Sequence, residues 1–272
     1  MTQGQEIAGI GRVKFERPPI NEVAIGVYYV PVTELRAEHI GIYWDSIRKR
    51  YPICEQRFPV LIQSEGQPPA MIAEAPGEIF PLPRFWFSNN AHSILIQIQR
   101  NAFMLNWRRG SSEGYPHYEG VEKDFWQEFE GYKNFVQGIG GKLDVVQRCE
   151  LTYVNFISPN AFFSSPAELG NVLPSVASLC KMHDEERKLV GLNALAAYQL
   201  NDNLLVESAI KWGKRSDTKE PVAVLELKAQ GTPGDLSLIG AAAWFKAAHN
   251  GIYKLFLSLT DEEVQKQVWR PL

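Results

Sequence analysis

A chain of 272 residues with 45% hydrophobic and 22% charged side chains has ordinary globular composition, which excludes disorder, collagen-like repeats and long coiled coils. Its 28 Lys and Arg against 31 Asp and Glu leave a formal charge of −3, so no global field steers it toward nucleic acid or an anionic membrane. Cys54, Cys149 and Cys180 are odd in number, far apart and without a C-x-x-C pair, which argues against a disulfide framework or a cysteine zinc site and for a reducing compartment. No secretory signal is expected at Met1 to Ile10, and no apolar run approaches the ~20 residues of a membrane helix, so the expected location is cytoplasmic and no membrane partner is expected.

The first element is a strand from Glu22 to Val30, rich in β-branched and aromatic residues after the breaker Pro18-Pro19. From Thr33 the spacing of Leu35, His39, Ile42, Tyr43, Ile47 and Tyr51 predicts an amphipathic helix stopped at Pro52. A short strand is read in Arg57 to Ile62, and Gln63 to Pro83 reads as a Pro- and Gly-rich loop. Three β-rich runs follow, Arg84 to Ser88, Ser93 to Gln99 and Ala102 to Arg108. Their short polar connections predict an antiparallel meander, with Ile94, Ile96 and Ile98 on a buried face and a mixed opposite face. Val121, Phe125, Phe129, Tyr132, Val136 and Ile139 then mark a second helix, ended by Gly138, Gly140 and Gly141.

The order then repeats. Arg148 to Ser158 reads as a strand, and Ser165-Pro166-Ala167-Glu168 as the capped start of a helix. Leu195 to Leu200, Leu204 to Lys214 and Val222 to Gln230 form a second meander, and a last helix runs from about Leu238 through Leu257. The expected fold class is therefore α+β: two similar β-α-β-β-β-α halves, 1–142 and 143–272, with helices on one face of antiparallel sheets. Two such halves can meet edge to edge in one wide pseudo-symmetric sheet, leaving an open face and an edge available for binding.

Candidate functional residues are few. Arg108 and Arg109, with Asn106, end a strand beside Trp107, and guanidinium groups there could clamp a phosphate or carboxylate. Glu22 and Glu150 occupy matching first-strand positions, as partners for a nearby Arg rather than as paired catalytic carboxylates. His249 and His39 each fall on the apolar stripe of a helix and are expected to be hydrogen-bonded core histidines. Phosphate-loop, dinucleotide, nucleophile-elbow and H-E-x-x-H motifs are all missing, and the five histidines do not assemble a metal site by spacing. No cofactor and no metal are expected, and catalysis is the weaker reading.

Several motifs together carry a resemblance. Pro18-Pro19-Ile20-Asn21-Glu22-Val23, Asn106-Trp107-Arg108-Arg109 with Tyr115-Pro116, Leu151-Thr152-Tyr153-Val154-Asn155, and the ending His249 to Phe256, Thr260-Asp261-Glu262 and Trp269 are similar to a sporadically distributed family of uncharacterised bacterial proteins. That family lends no activity. Its patchy distribution resembles that of horizontally transferred genes, and so implies an antitoxin, immunity or phage-defence accessory component.

Three functions are carried forward. The first is a non-catalytic binding or regulatory protein that holds another protein, encoded nearby, on its open sheet face or edge. The second is a small-molecule or nucleotide binder or enzyme with a pocket between sheet and long helix, lined by Trp and Arg. The last is a nucleic-acid binder using Trp107, Arg108 and Arg109 with Lys211, Lys214 and Arg215, which the net acidity disfavours.

Overall fold

A computed structural model describes residues 14–60, 81–110, 114–182 and 186–272. The N-terminal ten residues and most of the Gln63 to Pro83 segment lie outside the described residues. The protein is α+β, with one antiparallel sheet of nine strands. In chain order these are β1 (Ile20–Tyr29), β2 (Ile53–Arg57), β3 (Arg84–Ser88), β4 (Ile94–Gln99), β5 (Ala102–Arg108), β6 (Val146–Ile157), β7 (Asn193–Asn201), β8 (Leu204–Lys214) and β9 (Pro221–Gly231). Their order across the sheet is β2-β3-β4-β5-β1-β6-β9-β8-β7.

The centre of the sheet is the antiparallel pair β1 and β6, with Ile25 opposite Leu151 and Val27 opposite Cys149. Alternation in β1 sends Val23, Ile25 and Val27 to one face, where each is fully buried. Each such side chain contributes about 1.5–3 kcal/mol of transfer free energy. Phe103, Leu105 and Trp107 of β5 stand on that face with Leu225, Leu227 and Ala229 of β9, and all belong to one continuous core. Helices α1 (Ala37–Ile47), α2 (His117–Gly138) and α4 (Leu238–Leu259) bury their apolar stripes against it, as does the short α3 (Ala177–Cys180).

The second-half helix expected at Ser165 is instead two 3₁₀ turns, Pro166–Asn171 and Pro174–Val176, before α3. Pro174 has no N–H with which to continue a helix. At Gly170 an added Cβ would lie 2.7 Å from the Ala177 Cα, so the turns fold tightly on themselves. The two halves differ at their outer ends as well. β2 covers the outer edge of β3 and ends at Arg57, where the strand read at Arg57 to Ile62 was expected to begin, residues 61 and 62 lying outside the described residues; among the described residues no strand lies beyond β7.

The helix-free face is less open than its alternation predicts. Leu95, Gln97 and Gln99 of β4 and Met104 and Asn106 of β5 are all buried. Tyr28, Ala102 and Met104 form a small second cluster there, and Met104 lies over Gly26, where an added Cβ would meet its Cγ at 2.8 Å. The chain leaving β2 closes the margin, since the Val60 N–H donates to Gln99 Oε1 (2.9 Å) and its carbonyl accepts from Gln99 Nε2 (3.1 Å).

Candidate binding surfaces

Arg108, Asn106 and Glu22 meet on the helix-free face. β1 and β5 pair Glu22 with Arg108, and Asn106 lies two residues back on the same face. Asn106 Nδ2 donates to Glu22 Oε1 (2.5 Å), and Gln97 Nε2 donates to Asn106 Oδ1 (2.6 Å). Arg108 Nε lies 3.2 Å from the same Glu22 oxygen, close enough for an ion pair but not aligned as a hydrogen bond. The Gln97 carbonyl in turn accepts from Trp86 Nε1 (2.9 Å) and Arg84 NH1 (3.1 Å).

Trp86 is the hub that reading the sequence missed. Arg57, Arg84 and Arg108 bring their guanidinium carbons to 4.6, 5.4 and 5.7 Å from its ring centre, arriving from three different strands. Burial, together with Arg57 nearby, lowers the pKa of Arg84 below the usual arginine value. The only local signal was Arg84 and Trp86 at i, i+2 on one strand face; Arg57 and Arg108 join them only through strand pairing.

Arg109 goes elsewhere. Its Nε donates to the Ile20 carbonyl (2.8 Å) and its NH2 to the Pro18 carbonyl (2.9 Å), so it braces the chain entering β1. Glu150 accepts from Tyr28 Oη (3.3 Å) and pairs with Lys228 Nζ (3.0 Å). It stands opposite Gly26, four residues from Glu22 along β1, or about 13 Å at the strand rise. That separation exceeds the ~5–9.5 Å over which two carboxylates share one reacting centre. The basic patch imagined for nucleic acid is not assembled either: Trp107 faces the core, Arg109 is spent on carbonyls, and Arg215 is bound to Asp217 through two hydrogen bonds.

The two edges of the sheet contrast. β2 is five residues long and carries Glu55 and Arg57, which pair with each other, the usual protection of an edge. β7 is nine residues, Asn-Ala-Leu-Ala-Ala-Tyr-Gln-Leu-Asn, with no charge and no proline. Leu195 on its helix-free side is 74% exposed, and Tyr198 and Leu200 on the other side are 36% and 47% exposed. This edge lies five strands, about 24 Å, from the Arg108 network.

A pocket of about 110 Å³ sits on the helix side, between the chain entering β1, the start of α2, β6 and α4. It is lined by apolar side chains together with tyrosine and histidine, and among the described residues no Trp or Arg, the residues expected of a pocket there, lines it. Tyr153 of β6, fully buried, places its Oη 3.0 Å from His249 Nδ1 on α4, and Tyr118 of α2 stacks on the His249 ring at 4.0 Å. His249 is thus the hydrogen-bonded histidine expected, half-buried at a pocket wall. His39 is not in the core: its Nδ1 accepts from the Arg36 N–H (3.2 Å) and caps α1, while Ile40 takes the buried position.

Among the described residues no group of three or more His, Cys, Asp or Glu is placed to hold a metal ion, and no helix is long and apolar enough to cross a membrane. Set against known proteins, the chain matches no family model and no curated sequence.

Proposed function

We propose that this chain is a non-catalytic binding or regulatory protein that holds another protein by accepting one of its strands at the β7 edge. What supports this reading is β7 itself, a long uncharged edge strand exposed on both faces, in a sheet whose other edge is short and charged. Natural sheets normally blunt such an edge, because its unpaired N–H and C=O groups template a further strand. A strand added there gains main-chain hydrogen bonds, and Leu195 on one side with Tyr198 and Leu200 on the other give side-chain selectivity. The partner is a protein encoded nearby, and the resemblance noted in the sequence suggests an antitoxin, immunity or phage-defence setting.

The test uses Leu195→Lys with Ala197→Lys, which places two charges on one side of the edge strand. Tagged wild type and variant are co-expressed with the products of adjacent genes. The wild type is expected to retain one neighbour that the variant loses at unchanged melting temperature. Equal retention by both, or retention of no neighbour, rejects the reading.

A further inference from the structure

The pocket beside His249 has the size and the chemistry of a ligand site. Its walls are apolar: Phe15 and Pro19 from the chain entering β1, Tyr115 before α2, and Ile252 and Phe256 from α4. The first of these walls is held in place by backbone bonds at three points. Glu16 and Arg17 donate to the Arg270 and Trp269 carbonyls (2.8 and 3.0 Å), and the Pro19 carbonyl accepts from Phe156 N–H (2.8 Å). A pocket so braced is preformed, as most small-molecule sites are.

Its volume of about 110 Å³ compares with the roughly 150 Å³ apolar cavity that holds one benzene ring. The occupant is therefore about one ring in size.

Tyr153 and His249 supply a hydrogen-bonding corner in this wall. The Tyr153 Oη lies 3.0 Å from His249 Nδ1, within hydrogen-bond reach. A phenol hydroxyl donates one bond and accepts two, so Tyr153 Oη, paired with one ring nitrogen, has a further acceptor position for a ligand O–H or N–H. Lys14 and Glu119 stand exposed in the lining, one charge of each sign, and no other Asp, Glu, Lys or Arg lines the pocket. An ionic ligand would find no net counter-charge there.

We infer that this pocket binds a neutral molecule of about one aromatic ring carrying one hydrogen-bonding substituent, of the phenol class. The ring packs among Phe15, Ile252 and Phe256, and the substituent meets the Tyr153 hydroxyl.

The experiment titrates the full chain, labelled at isoleucine methyl groups, with phenol and separately with toluene. The Ile252 and Ile20 methyls, both in the lining, are expected to shift with phenol, and more weakly with toluene. Tyr153→Phe, with its melting temperature checked, is expected to weaken phenol about tenfold while leaving toluene unchanged, the loss of one hydrogen bond. Phenol and toluene binding equally in wild type, or Tyr153→Phe changing neither, would overturn the assigned ligand class. If neither probe moves those two methyls, the pocket is not a ligand site. None of these readouts depends on β7, so either reading can fail alone.

Discussion

Trp107 and Arg108 are adjacent in β5 and stand on opposite faces of the sheet: the indole is 3% exposed and packs 5.1 Å from the Tyr115 ring, while the guanidinium reaches over Trp86 beside Glu22. Truncating the first removes a core aromatic, and Trp107→Ala is expected to cost about 3–5 kcal/mol. The Arg108 side chain is 35% exposed, and its ion pair is screened. Arg108→Ala is therefore expected to cost no more than about 1 kcal/mol. Urea melts of the two variants decide it. A larger loss for Arg108→Ala would mean that the register between β1 and β5 is wrong.

Glu128 of α2 is buried, accepting from Tyr51 Oη (3.0 Å) and paired with Arg50. Glu128→Ala strands the Tyr51 hydroxyl and is expected to destabilise by about 1–3 kcal/mol. Arg50 is half exposed, so Arg50→Ala should cost less. Both are measured by denaturant unfolding, and the order of the two losses is the point at issue.

Burial holds the phenols of Tyr28, Tyr29, Tyr43, Tyr51, Tyr115, Tyr132 and Tyr153 above their ordinary pKa of 10.0, with Glu150 beside Tyr28 and Glu128 beside Tyr43 and Tyr51 adding to it. Unfolded, they ionise near pH 10. The unfolded state therefore sheds protons first, so stability is full below about pH 10 and falls as pH rises beyond it. An ultraviolet titration should show these seven of the ten tyrosines ionising only with unfolding. Smooth titration of all ten in the folded protein would contradict this burial.

Two glycines of the α2 region should respond oppositely to alanine. Gly131 is exposed in mid-helix with nothing within 4 Å of an added Cβ, so Gly131→Ala is expected to stabilise by about 0.5–1 kcal/mol. At Gly141 the Cβ would meet Val32 Cγ1 at 2.7 Å and Val136 Cγ1 at 2.8 Å. Both valines are core, and Gly141→Ala should cost about 1–3 kcal/mol. Thermal melts distinguish the two signs.

Local periodicity was enough to place most elements. The two-residue alternation in Ala102 to Arg108 separates Trp107 in the core from Arg108 outside it, and the helical spacing from Val121 to Val136 marks the buried stripe of α2, because each pattern records one element's own burial. Where the pattern was interrupted the reading failed. Pro174 broke the expected helix into 3₁₀ turns, and His39 was placed in the core when it caps a helix. Contacts between distant segments leave no local trace. Arg57, Arg84 and Arg108 converge on Trp86 only because β2, β3, β4 and β5 pair in that order, and Glu128 is buried only because the end of α1 reaches it. The same holds for the two surfaces proposed for binding. The lack of charge in Asn193 to Asn201 is a property of the sequence, but that this strand lies at an edge follows from the order β9-β8-β7; likewise, Tyr153 and His249 share a pocket wall only because α4 packs across β6. The sequence determined which side chains seek burial and in what local conformation. Tertiary structure alone decided which polar groups meet and which described strand is left at an edge, since both follow from strand pairing, and the Glu22–Asn106 and Tyr28–Glu150 contacts join residues 84 and 122 positions apart.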